Sequence, residues 1–142
     1  MPKYFTLEEL LRSSVAERKG ISNIPSWEVI GNLERLAAFL DEMREAWGSG
    51  IRVTSGFRCP QLNSAVGGVQ GSAHLTGNAV DLVPVNGKLG DFEAFLKKWL
   101  KGRKFDQCIY ETSKTSGSRW VHFGLFNNKG EQRCRLFGLS AA

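Results

Sequence analysis

The sequence has few of the residues that mark disulfide-rich or membrane-spanning proteins. Its 142 residues include three cysteines, Cys59, Cys108 and Cys134, an odd number without a Cys-x-x-Cys pair. This pattern argues against a disulfide framework and against a cysteine-based metal site, so we interpret all three as buried thiols. No apolar run approaches the roughly 18 residues of a membrane-spanning helix. We therefore expect no membrane insertion.

Long basic runs are also absent. The net charge of +5 favours approach to anionic surfaces of any kind, but the lysines and arginines of residues 97–104 are typical of an ordinary solvated surface. Because no basic stripe is interleaved with aromatic residues, we expect no nucleic-acid partner. Nucleic-acid binding stays an alternative, for which the affinity should fall steeply with salt. With 42% apolar residues, the chain is predicted to form one domain over residues 1–142, and we expect a monomer.

Helical periodicity dominates the first third of the chain. Thr6 and Glu9 match a capping box, which predicts a short helix that extends past Val15. Ser26 precedes a longer segment with apolar residues at every third or fourth position, which predicts a second helix ending at Gly48. We expect this longer helix to form much of the core.

Strands are predicted in the rest of the chain, with one further helix. That helix is predicted to have Asp91 as its N-cap and to end at Gly102. Helices followed by mostly adjacent strands predict an α+β domain with N-terminal helices on a small, mainly antiparallel sheet. The connection 56–78 is longer than the about 12 to 15 residues of ordinary loops, which indicates a functional segment, with a possible helical turn at 60–66. The strands are predicted at 51–55, 79–83, 105–111 and 120–126, with a last one near 132–137.

The chain contains only two histidines. His74 lies in the long connection, where Gly77 permits a turn that can bring it beside Asp81 on the next strand. Asp81 lies between apolar residues, where a buried carboxylate needs a cation or strong donors. His122 alternates with apolar neighbours, and Gly124 leaves space on its face of the strand. Two imidazoles and one carboxylate suit zinc and leave a fourth position for water, as in catalytic sites.

Each of these residues also has a simpler explanation. An isolated histidine is usually a hydrogen-bonded core or surface residue, and Asp81 could pair with Arg58 or Arg52. The pattern as a whole is more specific, because Ser72-x-His74-x-x-Gly77-x-Ala79-x-Asp81 is followed by a Trp120-Val121-His122 strand. It resembles the M15 family of zinc peptidases, which includes D-alanyl-D-alanine carboxypeptidases and phage L-alanyl-D-glutamate endopeptidases. The similarity also takes in Thr54-Ser55-Gly56-Phe57-Arg58, the 62–68 stretch and Phe105-Asp106-Gln107.

The resemblance implies a fold like that of Hedgehog proteins and DD-peptidases, with a Zn²⁺ cofactor held by His74, Asp81 and His122. It also implies that Arg58 meets a carboxylate or carbonyl of the substrate and that Ser72 is a supporting hydrogen-bond donor. The implied activity is hydrolysis of amide bonds in peptidoglycan stem peptides that contain D-amino acids. Both a DD-carboxypeptidase and an endopeptidase that cuts within the stem stay open.

The general base departs from the pattern of the family. Many relatives have a Glu three residues before the last histidine ligand, where this chain has Arg119. Glu111 is the best substitute, since it ends a strand predicted to pair with the His122 strand, and Asp106 is the reserve. A structural capping role is the alternative for Asp106. The departure also leaves open a non-catalytic, zinc-containing module that binds wall polymer or a protein partner.

The first nine residues show no apolar segment of the kind found in signal peptides. We therefore expect synthesis in the cytoplasm and, by the resemblance to phage endolysins, action on the cell wall after release or lysis.

Overall fold

Three helices form the first third of the structure, a computed structural model that describes residues 3–141. They are α1 (Leu7–Leu11), α2 (Ser14–Lys19) and α3 (Trp27–Trp47). The Thr6 hydroxyl accepts a hydrogen bond from the Glu9 N–H and caps α1, as the sequence predicts. The single helix predicted to extend past Val15 is wrong, because Arg12 is extended and Ser13 caps a new helix.

Helix α3 begins and ends where the sequence predicts. Ser26 accepts a hydrogen bond from the Val29 N–H at its start, and Gly48, in the left-handed conformation, ends it. The predicted N-cap of the last helix is wrong, because α5 (Leu89–Trp99) begins after Lys88 and Asp91 lies in its first turn. Helix α5 has no side-chain cap, and the Asn86 side chain accepts from the Lys88 N–H in the turn before it.

Five strands form one mixed sheet, which confirms the predicted α+β class. Their order across the sheet is β1-β2-β4-β3-β5. Neighbouring strands are antiparallel except β3 and β5, which are parallel. In β1 one extra residue lies between Val53, opposite Leu82, and Ser55, opposite Asp81. The strands are β1 (Ile51–Ser55), β2 (Ala79–Pro84), β3 (Gln107–Ser113), β4 (Arg119–Gly124) and β5 (Arg135–Ala141).

The core lies between one face of the sheet and helices α3 and α5. Phe39 of α3 stacks on Phe123 of β4 with ring centroids 5.2 Å apart. Full burial of an apolar side chain of this size contributes about 1.5 to 3 kcal/mol. Because side chains alternate along a strand, the other face is left for polar residues. The fully buried core residues include Leu33, Leu36, Leu40, Met43, Val80, Leu82, Phe92, Leu96 and Val121.

The connection 56–78 is an ordered segment. It contains α4 (Pro60–Ala65), at the predicted helical turn, and a 3₁₀ helix (Ala73–Thr76). Backbone hydrogen bonds tie it down, among them Phe57 N–H to Leu10 O at 2.8 Å and Arg58 N–H to His74 O at 3.1 Å. The two ends of the connection are therefore held against each other.

The cysteine prediction holds in part. Cys108 is buried and Cys59 half-buried, and none of the three forms a disulfide. Cys134 is exposed, contrary to the prediction, because it lies just before the edge strand β5 and outside the core. Across the described residues, no helix has the length and apolar content that crossing a membrane requires.

Candidate metal centre and active site

Asp81 and His122 face each other on neighbouring strands. They are directly opposite in the β2–β4 register, so their side chains lie on the same face of the sheet. Their chain neighbours Val80, Leu82 and Val121 are fully buried on the other face. The alternation that builds the core therefore presents the carboxylate and the imidazole together on the polar face.

His74 reaches the same place from the 3₁₀ helix. Gly77 ends that helix at φ +75°, and a Cβ there would lie 3.0 Å from atoms of Leu33 and Val29. Only glycine fits this left-handed, crowded turn. His74 is buried, with 2% of its surface exposed. The Nδ1 atom of its ring lies 2.7 Å from the carbonyl oxygen of Gly56. Because a carbonyl only accepts, Nδ1 carries the proton and the Nε2 lone pair is free.

The three side chains converge as a candidate metal centre. One ligand atom from each of His74, Asp81 and His122 lies within 4.8 Å of the others. The Asp81 Oδ1 atom is 3.3 Å from His74 Nε2 and 3.3 Å from His122 Nδ1. Two nitrogens and one carboxylate oxygen suit zinc, and the fixed tautomer of His74 is the arrangement typical of metal-bound histidines. The residues therefore fit a divalent metal ion.

The protonation states also fit metal binding. Burial alone would raise the pKa of Asp81, but the rings of His122 and His74, which donate to the carboxylate in their protonated forms, hold that pKa well below its usual range. Burial lowers the pKa of His74, although the hydrogen bond that its protonated ring would donate to Asp81 opposes this, so the neutral form is favoured. An ionised carboxylate and a neutral imidazole are the forms that bind a metal.

Arg58 lies beside the cluster and is held by three side chains. Its Nη2 atom donates to Asp81 Oδ2 at 3.3 Å, its Nε to Ser55 Oγ at 3.0 Å and its Nη1 to Asn63 Oδ1 at 3.3 Å. The Arg58–Asp81 pair, which the sequence left as an alternative to metal binding, therefore exists together with the cluster. It leaves Asp81 Oδ1 to the two histidines.

Ser72 lies at the start of the 3₁₀ helix that carries His74. Its hydroxyl oxygen accepts from the His74 N–H at 3.2 Å and caps the 3₁₀ helix. In this position it orients the histidine backbone. A donating role toward the substrate stays a prediction.

Glu111 lies on the same face of the sheet as the cluster. It is opposite Trp120, two residues along from the Ile109–His122 pair of β3 and β4, and therefore on the same face. Burial raises its pKa, the charges of His122 and Arg58 lower it and that of Asp81 raises it. The Glu111 carboxylate is thus close enough to interact electrostatically with His122, Arg58 and Asp81. Its catalytic role stays a prediction.

Asp106, the reserve candidate for a base, and Arg119, at the position of the family's Glu, are each paired with another side chain. Asp106 receives Arg133 Nε at 2.7 Å and Nη2 at 2.9 Å, together with the Arg133 N–H at 3.2 Å. These contacts favour a structural role for Asp106, which was the alternative to a role as the base. Arg119 pairs with Glu93 of α5 at 3.0 Å. Because side chains alternate along β4, position 119 lies on the face of the sheet opposite to that of His122.

Sequence reasoning missed the residues that support Arg58. Asn63 is 5% exposed, and Ser55 reaches the polar face because of the extra residue in β1. A signal was present for Asn63, a polar residue beside Leu62 in a short helix followed by two glycines. A buried polar residue in such a place needs a partner.

Two comparisons with known proteins bear on this site. A search of curated protein sequences finds no match. The sequence profile described as Peptidase M15 matches residues 3–123, a segment that contains the whole cluster, Arg58 and Glu111. The match spans far more than half of the chain, and it agrees with the independent geometry of the site. The chain belongs to the Peptidase M15 family.

Proposed function

We propose that the protein is a zinc-dependent peptidase that hydrolyses amide bonds in peptidoglycan stem peptides containing D-amino acids. Membership of a peptidase family supports a hydrolase with a peptide substrate. The convergence of His74, Asp81 and His122 carries the proposal. Zinc is our choice of metal because two imidazoles and one carboxylate match its preferences. We further propose that residues 1–142 act as one monomeric domain.

His74 Nε2, Asp81 Oδ1 and His122 Nδ1 are the atoms that would hold the ion. A bound zinc ion would lower the pKa of a water ligand toward ~7 and polarise the scissile carbonyl. Arg58 keeps Asp81 oriented through its other oxygen. The protein part of the site is thus set before substrate arrives, which reduces the reorganisation needed for the reaction.

Glu111 is our proposal for the general base. A base must accept a proton at neutral pH and return it to the leaving amine. Burial raises the pKa of Glu111 toward that range, and the residue shares the face of the sheet that carries His122. Asp106 is committed to Arg133, which leaves Glu111 as the better candidate.

Arg58 is our proposal for the substrate anchor, with Ser72 in support. The guanidinium has five N–H donors, three of which are used by Ser55, Asn63 and Asp81. Its remaining donors suit a carboxylate, a group that stem peptides carry. Such substrates lie outside the cytoplasmic membrane, so we propose that the enzyme acts after release or lysis, as an endolysin does.

The test is metal analysis together with digestion of purified peptidoglycan. We expect one zinc per chain and newly freed amino groups, both lost in His122→Ala. Mass spectrometry of the products separates a carboxypeptidase from an endopeptidase. A protein that binds zinc but leaves every stem peptide intact would contradict the enzyme and favour a binding module.

A further inference from the structure

We propose that Asn63 is a positioning residue, which holds the Arg58 guanidinium in the orientation that receives a carboxylate of the substrate. This rests on the proposed function, because it deepens the role of Arg58. Among the described residues, the Asn63 side chain forms hydrogen bonds with Arg58 and Val69 and none with His74, Asp81 or His122. It acts through Arg58.

Both ends of the Asn63 amide are used. Oδ1 accepts from Arg58 Nη1 at 3.3 Å and Nδ2 donates to the carbonyl oxygen of Val69 at 3.0 Å. Arginine only donates and a carbonyl only accepts, so the orientation of the amide is fixed by its partners. An aspartate could not donate to Val69, and an apolar residue could do neither. The residue type is therefore required by two contacts of opposite kind.

The backbone around Asn63 closes the arrangement. The Gly68 N–H donates to the Asn63 carbonyl oxygen at 2.8 Å. A Cβ on Gly68 would collide with Asn63 Oδ1 and lie 2.9 Å from Arg58 Nη1. The chain thus wraps tightly around the amide and the guanidinium, and the side chain of Arg58 is left 14% exposed. Only a small movement of Asn63 is possible without moving Arg58.

A fixed guanidinium matters because its donors lie in one plane with set directions. Ser55 holds Nε and Asp81 holds Nη2, both on the side of β1 and β2. Asn63, on α4, holds Nη1. Without it, Asp81 alone would hold the two terminal nitrogens of the guanidinium. Loss of Asn63 would let Arg58 turn toward Asp81 and weaken its grip on a substrate carboxylate.

The experiment compares one substrate in two forms. The probes are the stem peptide that the wild-type enzyme hydrolyses and the same peptide with the recognised carboxylate converted to an amide. We expect Asn63→Ala to raise KM for the acid about tenfold, the size of one hydrogen bond to a charged group. Its KM for the amide should equal that of the wild type. Asn63→Asp, which keeps the acceptor for Arg58 but loses the donor to Val69, should recover only part of the loss.

Two further variants separate positioning from general damage. Asn23→Ala is the matched control, since Asn23 ties Phe57 and Cys59 of the same connection to Leu11 of α1 and makes no hydrogen bond to Arg58. It should affect both probes equally. In an Arg58→Ala background, adding Asn63→Ala should change nothing further. Equal losses on acid and amide, or a further loss in that background, would overturn the proposal. Absence of hydrolysis by the wild-type enzyme would instead count against the proposed function.

Discussion

The carboxylate of Glu111 is half-buried, and this burial raises its pKa because it disfavours the charged form. We predict that Glu111→Gln lowers kcat by about 10² to 10⁴, the usual contribution of a general base. Because the folded protein then no longer buries a charge, the melting temperature should stay the same or rise. Steady-state kinetics and calorimetry on the same preparation check both parts. A loss of kcat together with a loss of stability would point to a structural role.

Single residues of the cluster could be predicted, and their supports could not. His74, Asp81 and His122 stand out in the sequence because histidine is rare and a carboxylate interrupts an apolar strand. The supporting roles of Asn63 and Ser55 could not be predicted, since their hydrogen bonds to Arg58 span only five and three residues but follow no helix or strand period. The backbone carbonyl of Gly56 fixes the tautomer of His74. Its role could not be predicted, because every residue has such a carbonyl.

At the scale of elements, the turn at Gly77 decides whether the 3₁₀ helix can present His74. We predict that Gly77→Ala lowers the free energy of unfolding by about 2 to 4 kcal/mol, from a left-handed φ and from crowding against Leu33 and Val29. It should also weaken zinc binding about tenfold, as loss of a supporting contact does. Chemical denaturation and zinc titration measure the two effects.

Gly20 provides the matched control for that turn. It also has a left-handed φ, of +65°, but a Cβ there meets nothing within 4 Å. Gly20→Ala should therefore cost only about 1 kcal/mol and leave zinc binding unchanged. Equal costs for the two substitutions would show that crowding at Gly77 is unimportant.

The segment before β5 is held to the start of β3 by Asp106 and Arg133. Burial alone would raise the pKa of Asp106, but the hydrogen bonds from Arg133 lower it. A lowered pKa in the folded state stabilises the protein above the ordinary value of about 3.9, and this is lost as the pH falls through the folded-state pKa.

We therefore predict that Asp106→Asn costs about 2 kcal/mol at pH 7 and progressively less below pH ~4. Denaturant titrations across this range measure the difference from the wild type. Glu131→Gln, at an exposed residue of the same segment, is the control and should change little. A cost that did not vary with pH would mean that the carboxylate charge does not contribute.

The elements themselves were predicted where a local signal defines them. Ser26 and Gly48 bound α3 because a hydroxyl cap and a left-handed glycine act within one turn. The prediction failed at Arg12 and Asp91, where several polar residues could serve as a cap and tertiary contacts choose among them. The parallel pairing of β5 was not foreseen either, because it depends on a crossing of the chain that leaves no local pattern.

For the whole molecule, the candidate metal centre joins three different elements, the last of them about 40 residues beyond the other two. The 3₁₀ helix, β2 and β4 each supply one ligand, so an ion bound there opposes unfolding of the entire chain. At a free zinc concentration a hundredfold above Kd, we predict a gain of about 2.7 kcal/mol. For a chain of this length that corresponds to a rise of about 8 °C in Tm.

Differential scanning calorimetry with zinc and with a chelator measures this gain. His122→Ala should lose it, while Glu111→Gln should keep it, because only the first removes a ligand. A Tm that does not respond to zinc in the wild type would contradict the assignment of the cluster.

The extra residue in β1 has a consequence for the length of this strand. With regular pairing, Thr54 would lie opposite Asp81 and Ser55 would turn toward the core. Arg58 would then lose its Nε partner, and the Gly56 carbonyl would shift away from the His74 ring. Edge strands usually accept insertions and deletions of single residues. Here a slip of β1 into regular pairing, with Thr54 in the place of Ser55, would remove the Ser55 contact to Arg58 and the Gly56 contact to His74 at once.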